Sequence, residues 1–261
     1  MSTRPADVLP EERQREILAR LSAHGRVVAA ELAATFAVSE DSIRRDLREL
    51  AARGLCRRVY GGALLVGPDI PPVSLRRQLQ VEAKRLLARK AVSLIRPNQT
   101  LLIDAGSTNS ALADALPDRM GLTVVTTAPD IAQRLMDRQD VAILLIGGRI
   151  DKRSACAVGI QALQEIRRVR ADLCFAGVCA IDPDTGLWDV ESEEALIKRA
   201  MIESSGETVA VVTSDKFATV APHHVAPIQQ IDHLVVERDL DVAVQAAFEA
   251  KSVSVHRAEA L

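Results

Sequence analysis

Short apolar runs with strand character recur about every twenty to thirty residues through the last two thirds of the sequence. These runs are Leu101–Asp104, Leu122–Thr126, Val141–Ile146, Ala171–Ala176, Thr208–Thr213 and His233–Val236. Helical patterns fill most of the gaps between them, for example Ser110–Leu116, Ile131–Asp137 and Glu193–Glu203. Strands that alternate with helices form right-handed βαβ units. The sequence therefore predicts an α/β domain with a mostly parallel, Rossmann-like sheet that helices cover on both faces.

The length of the chain and one proline-rich segment predict two unequal domains. The 261 residues exceed the ~100–200 residues of an ordinary domain, and 48% of them are hydrophobic, which is enough to form real cores. Residues 67–72 read Gly-Pro-Asp-Ile-Pro-Pro, and proline cannot continue a helix or a central strand. We expect a small domain over residues 1–66, a linker over 67–73 and the α/β domain over 74–261. A long helix from about Ser74 to Ile95 is expected to open the α/β domain.

Composition argues against several classes of protein. The N-terminus lacks the apolar stretch of a signal peptide, and no apolar run approaches the ~20 residues of a membrane span. We therefore expect a soluble, cytoplasmic protein with no membrane partner. Aromatic residues make up 2% of the chain, too few for a platform that stacks single-stranded nucleic acid. The cysteines lack the paired spacings of a zinc site and are expected to be reduced and buried; they are Cys56, Cys156, Cys174 and Cys179.

The first 66 residues predict a winged helix-turn-helix. A first helix begins at Pro10 and stops before Gly25, and a second covers roughly Ala29–Phe36. A third covers Glu40–Arg53, with Ser39 as its N-cap and Gly54 as its C-cap. A strand then runs over residues 55–60, Gly-Gly turns the chain, and residues 63–66 return. Short helices joined by a tight turn and followed by a β-hairpin are typical of this DNA-binding motif.

The third helix has one apolar and one charged face. Ile43, Leu47 and Leu50 form a narrow apolar stripe, and at 3.6 residues per turn Asp41, Arg45 and Arg48 point the opposite way. This face could enter a DNA major groove while wing arginines neutralise the phosphate backbone. The alternative is an ordinary amphipathic helix with a solvated arginine face. The candidate DNA-binding residues are Ser39, Asp41, Ser42, Arg44, Arg45, Arg48, Arg57, Arg58 and Tyr60.

Small polar residues and glycines follow the predicted strands of the larger domain. They occur at residues 104–108 (Asp-Ala-Gly-Ser-Thr), 126–127, 147–149, 177 and 214–216. Ligands of parallel sheets bind beyond the carboxyl ends of the strands, and amide groups at a helix start can hold a phosphate. Lys216 could supply the neutralising cation. Each piece also has a simpler explanation, namely a capped turn, a tight bend and a surface lysine.

The N-terminal motifs resemble the DNA-binding domain of DeoR-family bacterial transcription regulators. The resemblance is carried by Glu12-Arg13-Gln14, Glu31-Leu32-Ala33, Val38-Ser39, Ser42-Ile43-Arg44-Arg45-Asp46-Leu47, Gly54 and Tyr60-Gly61-Gly62-Ala63. The run over residues 42–47 with its downstream Gly-Gly-Ala is the most specific part. Tyr60 departs from the pattern, because the family often has histidine there.

The larger domain resembles the DeoR-family effector domain, which is similar in fold to ribose-5-phosphate isomerase. The matching residues are Arg76, Lys84, residues 104–108, Gly147-Gly148, Gly159, Asp182, Gly186, Glu194, Lys198 and Lys216-Phe217. The resemblance implies a sensor of a phosphorylated sugar that loosens repression. The candidate effector-binding residues are Asp104, Gly106, Ser107, Thr108, Thr127, Gly148, Asp182 and Lys216. Thr127 stands where the family usually has asparagine, and the aspartate often found three positions before Lys216 is absent.

Other polar clusters predict no additional chemistry. The acidic run from Asp182 to Glu194 could suggest a metal, but such loops are commonly exposed and acids are favoured at a helix start. His223 and His224 are expected to be solvated loop residues, and Trp188 is expected to pack at a domain edge. No metal site, no cofactor and no catalytic residues are predicted.

These observations favour a DNA-binding transcriptional regulator, a repressor rather than an activator, although the sequence leaves both open. Its affinity for double-stranded operator DNA is expected to be modulated by a phosphorylated sugar or related metabolite. Such a protein is expected to form at least a homodimer, because paired half-sites multiply specificity, and the family resemblance also implies a homotetramer as an alternative. The alternative is a sugar-phosphate isomerase with an accessory DNA-binding segment. A third possibility is regulation by an unphosphorylated ligand or by none.

Overall fold

The computed structural model describes residues 9–53, 55–65, 70–217, 219 and 221–259. The chain divides into two compact units, an N-terminal unit within residues 1–68 and 220–223 and a C-terminal unit within 69–219 and 224–261. Each unit has its own cluster of buried apolar side chains. Residues 67–69 of the predicted linker, and the predicted helix-ending Gly54, lie outside the described residues.

The N-terminal unit combines three helices with a small sheet. Its elements are α1 (Pro10–His24), β1 (Arg26–Val28), α2 (Ala29–Phe36), α3 (Glu40–Ala52), β2 (Cys56–Val59) and β3 (Gly62–Leu65). Gly25 ends α1 with a φ of 69°, a left-handed conformation that suits glycine. The limits of α2 are those predicted, and α3 ends one residue earlier than predicted.

Strand β1 is the part of this unit that the sequence did not predict. It pairs with β3, which also pairs with β2, so that the antiparallel order is β1-β3-β2. Gly62 lies at the close approach of β3 to β1, where a Cβ atom would come within 2.0 Å of the carbonyl oxygen of Val27. Packing therefore requires glycine at position 62, whereas Gly61, with a φ of 81°, is favoured by the turn.

All three helices bury apolar side chains in the core of the N-terminal unit. The stripe predicted on α3 is buried, with Ile43 and Leu50 0% exposed and Leu47 2% exposed. They pack in one cluster with Ile17 and Leu21 of α1 and with other residues of α2 and β2. Burial of a leucine or isoleucine stabilises a fold by about 1.5–3 kcal/mol. This core fixes which face of α3 remains in solvent.

The C-terminal unit is built around a seven-stranded parallel sheet, as the alternating pattern predicts. The strand order is β15-β14-β12-β9-β4-β5-β6, and every pairing in it is parallel. Its strands are β4 (Thr100–Ile103), β5 (Leu122–Thr126), β6 (Val141–Leu145), β9 (Ala171–Ala176), β12 (Ser205–Val212), β14 (His233–Val236) and β15 (Ser254–Arg257). Central strands such as β9 are almost wholly buried, since helices cover both faces of the sheet.

Helices and two small sheets complete the C-terminal unit. The helices are α4 (Val73–Arg76), α5 (Val81–Val92), α6 (Ser107–Ala115), α7 (Pro129–Leu135), α8 (Ile160–Ile166), α9 (Ser192–Glu203) and α10 (Val242–Glu249). The small sheets are formed by β7 (Arg149–Asp151) with β8 (Cys156–Val158), and by β10 (Ala180–Asp182), β11 (Gly186–Asp189) and β13 (His223–Ala226). No described helix is both long and apolar enough to span a bilayer.

The prediction of one long helix from Ser74 to Ile95 is wrong. The chain forms the single turn α4, then a non-helical segment, then α5, and Gln80 before α5 has a left-handed φ of 52°. The ammonium group of Lys84 donates hydrogen bonds to the carbonyl oxygens of Arg76 (2.6 Å) and Leu79 (2.7 Å). In a continuous helix these carbonyl oxygens would accept backbone hydrogen bonds instead. The break in the helix therefore frees the acceptors that the buried ammonium group of Lys84 needs.

The prediction of His223 and His224 as loop residues is also wrong, because both lie on strand β13 and are partly buried. The ring of His224 meets that of Trp188 edge-on at 4.9 Å. The indole of Trp188 also donates a hydrogen bond to the hydroxyl of Thr185. The four cysteines are buried free thiols, as predicted.

Candidate functional site

The outer face of α3 is a charged surface that the N-terminal core leaves in solvent. Asp41, Arg44, Arg45 and Arg48 are exposed. The guanidinium group of Arg44 lies 2.9 Å from Glu40 and 3.2 Å from Asp41, which partly neutralises its charge. Arg45 and Arg48 form no ion pair with any residue that the structure describes. These two side chains are therefore the freest cations of the helix.

Ser39 and Ser42 hold the start of α3. The hydroxyl of Ser39 accepts a hydrogen bond from the amide of Ser42 at 3.2 Å, and the two hydroxyls are 3.0 Å apart. An N-cap of this kind stabilises a helix by about 1 kcal/mol. Ser39 thus has a structural role as the N-cap of α3, in addition to the DNA-binding role predicted for it.

The hairpin of β2 and β3 presents a second exposed basic surface. Arg57 and Arg58 are exposed on β2, and the side chain of Tyr60 is fully exposed at the turn. The structure therefore leaves all of the predicted wing residues accessible to a partner.

A buried ion pair joins α1 to the inner side of α3. The Nε and Nη2 atoms of Arg13 lie 2.6 and 3.2 Å from the two carboxylate oxygens of Asp46, and the two side chains are only 10% and 4% exposed. The amide of Gln14 donates to Asp46 (3.3 Å) and to Glu49 (2.7 Å). The aspartate of the motif over residues 42–47 therefore orients α3 rather than facing solvent.

A cavity lies beyond the carboxyl ends of β4, β9 and β12 in the C-terminal unit, and we call it the strand-end cavity. It encloses about 120 Å³. Its polar lining residues include Arg76, Gln80, Lys84, Ser107, Thr108, Asn109, Ser154, Thr213, Glu194, Lys198, Asp215 and Lys216. Gly106 and Gly177 supply backbone to the same wall.

The start of α6 forms one wall of this cavity. Gly106 precedes the helix with a φ of 142°, which side chains other than glycine rarely adopt. No side chain caps the helix, so the first amide groups of α6 are free to bind an anion. This geometry is compatible with the phosphate-holding turn that the sequence predicts at residues 106–108.

Besides Lys198, three cationic side chains line the same cavity, namely Arg76, Lys84 and Lys216. Lys84 is 6% exposed, and burial, together with the nearby charges of Arg76 and Lys216, lowers its pKa to about 8. Lys216 is 18% exposed, and its ammonium group lies 2.7 Å from the carboxylate of Asp215. With Asp215, these three cations leave a formal excess of two positive charges on this side of the cavity.

A cluster of four buried charges underlies the cavity. The ammonium group of Lys198 lies 3.2 Å from Asp104, 3.0 Å from Asp189 and 3.4 Å from Glu194. Burial alone would lower the pKa of Lys198, but the three carboxylates outweigh it and raise that pKa well above its ordinary value. Burial raises the pKa of Glu194, and Asp189 and Asp104 add to this effect against the attraction of Lys198.

The interpretation of the acidic run as exposed is wrong for two of its members. Asp189 is 0% exposed and Glu194 is 8% exposed, because both face the ammonium group of Lys198. Sequence reasoning also gave no site role to Arg76, Lys84 or Lys198. Their common signal is a charged residue at a position where the helical pattern expects an apolar one.

The structure brings four of the eight predicted effector residues to the strand-end cavity, namely Gly106, Ser107, Thr108 and Lys216. Asp104 lies beneath its wall, 1% exposed, and its carboxylate accepts hydrogen bonds from the amides of Ala105 (2.8 Å) and Gly177 (2.9 Å).

The other three predicted effector residues do not line the cavity. Asp182 is exposed and closes the turn between β10 and β11, where it accepts hydrogen bonds from the amide and hydroxyl of Thr185. Thr127 is 0% exposed. Gly148 has a φ of 155° and packs against the carbonyl of Val158. Each of the three has a local structural role or a buried position instead.

Comparison with known proteins identifies both units. Residues 13–68 match the family model of the DeoR-like helix-turn-helix domain, and residues 79–238 match that of the DeoR C terminal sensor domain.

Two relatives span nearly the whole chain. The glycerol-3-phosphate regulon repressor of Escherichia coli (strain K12) is 34% identical over 234 residues, which cover 89% of this chain and 93% of that protein. The putative aga operon transcriptional repressor of Escherichia coli O157:H7 is 31% identical over 88% of this chain and 87% of that protein. Among solved structures, ribose 5-phosphate isomerase A of Methanocaldococcus jannaschii has a TM-score of 0.39 and 15% identity over 52% of this chain and 54% of that one.

Proposed function

Because this chain belongs to the DeoR family of helix-turn-helix transcriptional regulators, we propose that it represses transcription at an operator and is released by a phosphorylated sugar or polyol bound in the strand-end cavity. The relatives are named as transcriptional repressors rather than enzymes, which favours a regulator over the alternative of an isomerase. The observation that carries the ligand proposal is the convergence of Arg76, Lys84 and Lys216 on the uncapped start of α6.

The cavity favours a small ligand with one phosphate group. Its volume of about 120 Å³ is below the ~300–1,000 Å³ of pockets for drug-sized ligands, so a short phosphorylated polyol or sugar suits it better than a nucleotide. The amides of residues 106–108 and the three cations would hold the phosphate. Ser154 and Glu194 also line the cavity and offer partners for hydroxyl groups. One relative is named for a glycerol-3-phosphate regulon, which is consistent with this ligand class.

The outer face of α3 is the proposed reader of the operator. Arg45 and Arg48 would contact base edges or phosphates in a major groove, while Arg57, Arg58 and Tyr60 on the wing would contact the backbone. Two such helices would read half-sites about 34–36 Å apart, which is the reason to propose a homodimer or homotetramer. We expect the protein to act in the cytoplasm, where the operator lies.

Release by the ligand requires unequal affinity for the DNA-binding and DNA-free conformations. A coupling of about 1–3 kcal/mol is typical of such regulators. Residues 70–80 are placed to transmit it within the C-terminal unit, since Pro71, Arg76 and Gln80 line the cavity. Arg153 holds this segment through hydrogen bonds of 3.1 and 2.8 Å to the carbonyl of Ile70.

Operator retardation, titrated with phosphorylated sugars and polyols and with their unphosphorylated forms, tests the proposal. We expect one phosphorylated compound to release the wild-type protein and its free form to be inert. Lys216→Ala should retain operator binding but require at least about tenfold more ligand, since it loses a charged contact. Arg167→Ala removes one exposed cation of the C-terminal unit outside the cavity and should respond like the wild type. Normal release of the Lys216 variant would contradict the assignment of the cavity.

Arg45→Ala should weaken operator binding by about 1–3 kcal/mol, roughly fivefold to 150-fold, because an arginine bound to a base edge is worth this much. Its side chain is exposed and forms no ion pair within the described residues, so the thermal midpoint should stay unchanged. Arg15→Ala on α1, which also removes an exposed arginine, is the matched control. Wild-type affinity in Arg45→Ala would show that this face of α3 does not read DNA.

A further inference from the structure

A second depression of the C-terminal unit lies along α5 and α6, and we call it the basic groove. It encloses about 350 Å³. Its five basic lining residues are Arg77, Lys84, Arg85, Arg89 and Arg134. Val81, Ala111 and Ala115 supply apolar surface between them. The groove shares only Lys84 and Ser107 with the lining of the strand-end cavity.

Carboxylates neutralise only part of this charge. Asp130 lies 2.6 Å from Arg77, and Asp114 lies 2.5 Å from Arg134. Glu82 is 3.7 Å from Arg85, beyond hydrogen-bond distance. Five bases against three carboxylates leave a formal excess of two positive charges.

The excess is concentrated on two residues. Within the described part of the chain, neither Lys84 nor Arg89 has a carboxylate at ion-pair distance. Arg85 and Arg89 lie one turn apart on α5 and are both exposed. An anion in the groove could therefore reach both guanidinium groups without displacing a strong existing ion pair.

Arg77 provides an independent sign of a missing partner. Its Nε and Nη2 atoms are both buried. The Nη2 atom lies 2.6 Å from the carboxylate of Asp130 and forms an ion pair with it, so Nε is the donor that lacks a partner among the described residues. Native proteins rarely leave buried donors unsatisfied, and an oxyanion in the groove could accept from this side chain.

We propose that the basic groove is a second anion site, which binds a small ligand with two or more closely spaced negative charges, such as a pyrophosphate or a bisphosphorylated metabolite. Guanidinium groups bind phosphate oxygens in bidentate fashion, and within the described part of the chain Arg85 and Arg89 have no carboxylate at hydrogen-bond distance that an anion would have to displace. The volume of the groove is nearly three times that of the strand-end cavity, so it suits a larger anion. The proposal does not depend on the ligand assigned to the strand-end cavity.

Isothermal titration calorimetry of the full chain with inorganic pyrophosphate tests the proposal. The salt concentration should be about 0.15 M, where charges further apart than about 8 Å are screened. The variants are Arg85→Ala with Arg89→Ala for the groove, Lys216→Ala for the strand-end cavity and Arg167→Ala as the matched control. Arg85 and Arg89 are exposed, so their removal should leave the thermal midpoint near that of the wild type.

We expect saturable binding that the Arg85 and Arg89 double variant weakens about tenfold or more, while Lys216→Ala and Arg167→Ala retain it. Absence of saturable binding in the wild type, or unchanged binding in the double variant, would overturn the proposal. Loss of all binding in Lys216→Ala alone would assign pyrophosphate to the strand-end cavity and also overturn it. Competition by duplex DNA that depends on Arg85 and Arg89 would assign these arginines to nucleic acid instead. Failure of sugar phosphates to release the operator would affect only the proposed function.

Discussion

Asp46→Ala should cost the N-terminal unit about 3–5 kcal/mol of its free energy of unfolding, the usual effect of removing one partner of a buried ion pair. The substitution removes the carboxylate that accepts hydrogen bonds from the Nε and Nη2 atoms of Arg13 and from the amide of Gln14. Arg13 is only 8% exposed, so solvent cannot replace the carboxylate. A unit of about 60 residues has little stability in reserve, and we expect much of it to be unfolded at 37 °C.

The two units can be followed separately. Hydrogen exchange in peptides of α1 and α3 reports on the N-terminal unit, and fluorescence of Trp188, the single tryptophan, reports on the C-terminal unit. Asp46→Ala should abolish protection in the first and leave the urea transition of the second unchanged. Asp41→Ala, an exposed carboxylate of the same helix, should cost no more than about 1 kcal/mol through the helix dipole.

A double replacement separates the ion pair from the rest of the core. Arg13→Met with Asp46→Leu should recover much of the lost stability, because buried pairs can often be replaced by packed apolar residues of similar volume. A protein with Asp46→Ala that is within about 1 kcal/mol of the wild type would show that the pair does not hold α1 to α3. Such a result would also remove our explanation of the motif over residues 42–47.

Local sequence signals located most of the secondary structure. The predicted limits of α2, β5, β9 and β14 are those of the structure, since each segment is bounded by residues that stop it and has the right apolar period. Strand β1 has three residues, too few to show a period, and it exists because Gly62 lets β3 approach it. The break before α5 has a tertiary cause, since Lys84 binds carbonyls that a continuous helix would have used.

The candidate site was predictable only where its residues are contiguous. Gly106, Ser107 and Thr108 follow a strand and open a helix, and this order alone indicates an anion-binding turn. Lys198 and Asp104 are distant in the sequence and come into contact only in the folded domain, where α9 packs against the sheet. Asp189 and Glu194 also looked like a solvated acidic run, because sequence does not show which carboxylate faces a buried cation. In chains of this kind, a charged residue inside an apolar pattern therefore indicates a buried polar site as well as a contiguous motif does.

Lys198→Met should destabilise the C-terminal unit by about 3–5 kcal/mol at pH 7.5, because it leaves Asp104, Asp189 and Glu194 buried without their shared cation. Methionine is close in length to lysine and fills the space, so the cost would come from charge rather than from a cavity. Urea unfolding followed by Trp188 fluorescence gives the free energy of unfolding. Lys152→Met, which removes an exposed lysine, should change it by less than about 0.5 kcal/mol.

The pH dependence of the variant distinguishes lost charge pairing from lost packing. In the wild type, burial and the nearby Asp189 and Asp104 raise the pKa of Glu194 against the attraction of Lys198, so loss of the ammonium group would raise this folded-state pKa further above its unfolded value. The folded state would then bind more protons than the unfolded state, so stability is greatest at low pH and falls as the pH rises through the folded-state pKa of Glu194. We expect Lys198→Met to be more stable at pH 5.5 than at pH 7.5, with a steeper slope than the wild type. Addition of Glu194→Gln removes one of the charges and should flatten that slope. Equal destabilisation at both pH values would mean that Lys198 acts by packing alone. The claim that its charge compensates the three carboxylates beneath the cavity would then be wrong.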